Sequence, residues 1–108
     1  MTQATSELDA RIEMKAFIDR CRAPYADWYV NTCPDPQRRI EAHGCETNDW
    51  YVHRRLGSVE AAQRVLETLL KLGCQTGGEI PAGEGEPEDG EAPAIAVYAY
   101  WRRDHTTP

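Results

Sequence analysis

No apolar run of about 18 residues, the length a membrane-spanning helix needs, occurs in this sequence, and its first residues, MTQATSELDARIEMK, are polar and charged where an export signal is apolar. A cytoplasmic protein with no membrane attachment is expected. There is no basic excess either, since 12 Lys and Arg stand against 18 Asp and Glu. Six of the acids, Glu79, Glu84, Glu86, Glu88, Asp89 and Glu91, share one stretch with no base among them, which leaves the rest of the chain close to neutral. That balance provides no electrostatic track for a nucleic-acid backbone, so nucleic acid is not an expected partner. The phosphate-binding, dinucleotide-binding, His-Glu-x-x-His and Gly-x-Ser-x-Gly signatures are all missing. With no catalytic motif in sight the chain is not read as an enzyme, and no cofactor is expected.

What the sequence does contain is 108 residues, 41% of them hydrophobic and 28% charged, enough for one small core. A single α+β domain over residues 1–108 follows. The four cysteines are more readily read as reduced thiols than as a disulfide framework, in keeping with the cytoplasmic expectation.

In residues 6–22, Ala10, Met14, Phe17, Ile18 and Cys21 recur at the spacing of one helical face, Ser6 offers an N-cap and Pro24 ends the run. Residues 26–32, aromatic and β-branched between prolines, read as a strand, and their tetrapeptide Asp-Trp-Tyr-Val recurs from Asp49 to Val52. Between the copies, Asp35 before Pro36 starts a short helix that Gly44 can stop. Ser58 caps a strongly amphipathic helix to Leu72, which Gly73 terminates. Residues 75–93 carry five glycines, three prolines and the six acids, a composition that predicts a flexible acidic loop. Residues 94–101 alternate as a final strand. The fold class expected is a two-layer α+β sandwich: a three-stranded mixed sheet with two main helices and one short helix on one face.

Alternation then assigns Trp28, Val30, Trp50, Val52, Ile95, Val97 and Trp101 to the helix side, and Tyr29, Tyr51, His53, Tyr98 and Tyr100 to an uncovered face. Tyrosine combines buried ring area with a hydrogen-bonding tip, so this face is the expected binding surface for a protein partner or a second copy of the chain. Arg54, Arg55, Arg102 and Arg103 follow two strand ends and would gather into an anion site if those strands ran parallel. Cys33, His43 and Cys45 are of zinc-ligating type, but their spacing matches no common finger or ribbon, and no metal is expected. The function expected is that of a non-catalytic interaction module, binding a partner or homodimerising through the aromatic sheet face. The alternative is a small-molecule-binding domain or small enzyme whose pocket is lined by Tyr, His and Arg.

Overall fold

The computed structural model describes residues 4–46, 49–76, 94–103 and 106. Helix α1 (Glu7–Cys21) starts where the Ser6 hydroxyl accepts from the Asp9 N–H at 3.1 Å. It stops at Arg22, a non-glycine residue at φ 60°, a conformation that costs backbone energy. The reversal is held from both sides: Asp19 accepts from Lys15 at 2.7 Å and from the Tyr25 hydroxyl, which returns from the turn that follows. Strand β1 (Trp28–Cys33) comes next, then α2 (Pro36–Ala42), capped by the Asp35 carboxylate with Pro36 in the first turn. Strand β2 (Tyr51–Arg55) leads into α3 (Val59–Leu72), whose N-cap is Ser58 and whose last turn closes on Gly73 at φ 115°. Strand β3 (Ala96–Trp101) completes an α+β globule.

The sheet order is β1-β3-β2, and β3 runs antiparallel to both neighbours. The mixed sheet expected from the sequence is therefore an antiparallel one, because the chain after α3 comes back against the direction of β2, into the place between β1 and β2. β1 and β2, each opposed to β3, point the same way, and the link from one to the other must cross a face of β3. Two helices side by side span about 8–10 Å between axes, roughly the width of three strands, and α1 with α3 already fills one face. The link crosses the other. So α2 packs on the tyrosine face, through Ile40 and His43, and does not join α1 and α3 as the sequence reading had it.

The main core lies under α1 and α3, where Ala10, Met14, Ile18, Ala62, Val65, Leu66 and Leu69 meet Trp28, Val30, Val52, Leu56, Val97 and Ala99. Phe17 closes it edge-on against Trp28, ring centroids 6.0 Å apart. Gln75, placed by composition in the flexible loop, belongs to the fold: it bridges Tyr29, with Val30 N–H donating to its carbonyl at 2.8 Å. The remainder of that segment, residues 77–93, lies outside the described residues.

Both sheet edges are blunted by their own chain. On β1 the Gln75 bridge covers Trp28 to Val30, and the Asn31 side chain accepts from the Thr32 N–H at 2.8 Å. On β2 the Arg55 carbonyl accepts from Thr5 N–H at 2.6 Å, and the His53 carbonyl from the Arg54 guanidinium at 2.7 Å. A second strand adding to either edge would have to displace these bonds.

Trp28 is 0% exposed and Trp50 is 39% exposed, so two residues at matching repeat positions should differ sharply in energetic weight. Trp28→Ala should cost about 3–5 kcal/mol, the range for emptying a core indole site. Trp50→Ala should cost about 1 kcal/mol, the scale of one aromatic pair. Urea unfolding of the two variants measures the contrast.

Candidate functional site

Register turns the repeated tetrapeptide into rows across the sheet. Tyr29 and Tyr51 both oppose Tyr100, and Val30 and Val52 both oppose Ala99. Trp28 opposes Trp101, whose N–H donates to the Trp50 carbonyl at 3.0 Å. One copy thus flanks each side of β3 at the same level, with three tryptophans on the helix face and three tyrosines on the other. Asp27 and Asp49, which head the two copies, are kept apart by the intervening strand.

The tyrosine row is closed. Tyr98 and Tyr100 are 0% exposed and Tyr29 is buried beside them, while Tyr51 and His53 are half-buried. Their cover is α2: the buried His43 ring lies 4.8 Å from Tyr29 and 5.0 Å from Tyr100 between centroids, and His43 Nε2 shares a 2.7 Å hydrogen bond with the Tyr98 hydroxyl. Buried Arg39 also bonds that hydroxyl. Guanidinium can only donate, so the Tyr98 oxygen accepts from Arg39, and the His43 tautomer sets which way the His43–Tyr98 bond runs. Burial raises the Tyr98 and Tyr100 hydroxyls far above the ordinary phenol value, holding both neutral. The Tyr, His and Arg constellation expected of a ligand pocket is assembled here, but as a second, polar-tipped core. The uncovered aromatic face expected from the sequence is corrected accordingly: the link crossing β3 covers it.

The arginine pairs do not gather. With β2 and β3 antiparallel, Arg54 and Arg55 sit at one end of the sheet and Arg102 and Arg103 at the other. Each pair is also split between faces by alternation. Arg54 meets Glu13 of α1 at 2.7 Å, whereas Arg55 reaches the Pro34 carbonyl on the α2 side. Arg103 lies over the Trp101 ring, 4.6 Å from its centroid, while the charge of Arg102 is felt by Tyr100. Such exposed pairs contribute about 0–1 kcal/mol each.

No disulfide joins the cysteines, and among the described residues no three His, Cys, Asp or Glu side chains converge as metal ligands. Cys33 lies in the tyrosine-side core and Cys45 packs against it, next to the His43 helix end. Burial pushes the Cys45 thiol up to about 12 and the Cys74 thiol up to about 11, so both are protonated at neutral pH and unsuited to nucleophilic work.

The tryptophan row, in contrast, opens towards one end. Trp28 lies under α1, Trp101 is half-buried, and Trp50 reaches solvent at the start of edge strand β2. Trp50 stacks on Trp101 with centroids 4.5 Å apart and planes 24° from parallel, which fixes its ring. Beside it lies a surface groove of about 300 Å³ lined by Phe17, Arg20, Cys21 and Trp50. This is the candidate site. Sequence reading missed it because alternation assigned Trp50 to the helix side correctly but says nothing about where the helix cover stops; α1 ends at Cys21. No family model, curated protein or solved structure matches the chain.

Two outcomes test the closed face. Tyr98→Phe deprives His43 Nε2 of its buried partner and should lower stability by about 1–3 kcal/mol in urea. His53 is held below the ordinary imidazole value by burial first and by Arg54 and Arg55 next, with Asp35 opposing. The fold therefore favours neutral His53, and that contribution is present above the unfolded value of about 6.5 and lost as pH falls through the depressed folded value. Acidification from about pH 7.5 to about pH 5 should destabilise the wild type more than His53→Gln.

Proposed function

We propose that this protein is a small non-catalytic interaction module that binds a protein partner at the groove between the last turn of α1 and Trp50. One observation carries the reading: a large aromatic side chain stands in solvent, immobilised by stacking, at the mouth of an apolar groove. Trp is the side chain most often found to dominate binding energy, and a ring already fixed loses little rotamer entropy on binding. The groove is shallow and open, which suits a partner's side chain better than a small molecule that must bury most of its own surface. The blunted edges of β1 and β2 favour recognition through side chains over strand addition. Four cysteines, none of them in a disulfide, suit a reducing compartment, and the cytoplasm is the compartment we propose. No helix among the described residues is long and apolar enough to cross a membrane.

A displayed random-peptide library selected on the wild type and counter-selected on Trp50→Ser tests this reading. Sequences should enrich that bind the wild type and lose about 2 kcal/mol on Trp50→Ser, whose circular dichroism stays native. If nothing enriches, or if the enriched peptides bind both proteins alike, the groove is not the binding surface.

A further inference from the structure

We infer that the groove takes an acidic segment of a partner protein, seating one apolar side chain among Phe17, Cys21 and Trp50 and a neighbouring carboxylate on Arg20. The inference rests on the interaction-module reading and adds the chemistry of the partner. Arg20 lines the groove and makes no ion pair among the described residues. Two acids of the same helix are committed elsewhere. Asp19 is taken by Lys15 and Tyr25, and Glu13 by Arg54. An apolar groove that carries a guanidinium without an ion pair favours a ligand that brings both an apolar anchor and negative charge.

A second copy of the chain is the poorer occupant. In a twofold dimer each groove would have to seat residues of the same patch, and the lining supplies Arg20 with no carboxylate. Single-stranded nucleic acid would exploit the tryptophans and arginines by stacking, but its backbone calls for a continuous basic track. Among the described residues Arg20 is the one basic side chain lining the groove, a single cation where such a track needs several.

The experiment is a fluorescence titration of the tryptophans in the intact chain with three probes: the acetylated peptide Glu-Glu-Leu-Phe-Glu-Glu, its counterpart with every Glu replaced by Lys, and oligothymidylate. The acidic peptide should bind the wild type in a salt-sensitive way, and Arg20→Glu should weaken it about tenfold, the loss of one charge-assisted contact. The lysine peptide should bind Arg20→Glu better than the wild type. Arg20→Gln, milder at a helix C-terminus, should fall between, and circular dichroism checks that each variant folds. Equal binding of both peptides by the wild type, with loss on Trp50→Ser, would overturn the acidic partner while leaving the interaction module standing. Preference for oligothymidylate, or concentration-dependent dimerisation abolished by Trp50→Ser, would assign the groove to the rival occupant. If no probe moves the tryptophan signal and the protein sediments as a monomer, both readings fail together.

Discussion

Because β3 enters the sheet between two strands that precede it in the chain, β1 and β2 can touch only through it, and the segment joining them must pass over it. That constraint decides the character of both faces. With α1 and α3 occupying one side, the link carrying α2 takes the other, and side chains that would have stood in water become the walls of a second core. The tyrosines of β1 and β3 thus have a packing role first. Their hydroxyls, unable to reach solvent, are satisfied from within, by Arg39 and His43 on Tyr98 and by Asn31, which donates to Tyr29 at 3.3 Å.

The two faces solve the same problem with different chemistry. On the helix side, long apolar stripes on α1 and α3 exclude water by area alone. On the α2 side a helix of seven residues has little apolar area to offer, Ile40 being its one large aliphatic contact, and orientation comes from directed bonds. Directed bonds fix α2 in one pose at the cost of tolerance: a partner lost from a buried polar group leaves a desolvation penalty that a lost methyl group does not.

Local patterns were legible in the sequence to the extent that they are local. The caps at Ser6, Asp35 and Ser58, the stop at Gly73 and the two-residue alternation of all three strands follow from neighbours a few positions apart, and each is found where the residues place it. Strand direction and order were not legible, since nothing in residues 94–101 encodes whether they run with or against β2, or whether they lie at an edge or between β1 and β2. The role of α2 was hidden for another reason: two of the residues it buries, Arg39 and His43, are polar, and a hydrophobic pattern does not register them. The groove was missed because exposure of Trp50 depends on where α1 runs out relative to an edge strand, a distance in space with no counterpart in the sequence around Trp50.

Placing the central strand last also has a consequence for how the molecule comes into being. Until residues 96–101 are available, the two flanking strands have no ladder partner, and neither the tryptophan row nor the tyrosine row exists. Every strand pairing in the sheet spans a long stretch of sequence, so the entropy of closing those loops is spent before any ladder bond repays it. Assembly during synthesis must therefore wait for the end of the described chain, and α1 and α3 meet beforehand only as a helix pair without its platform.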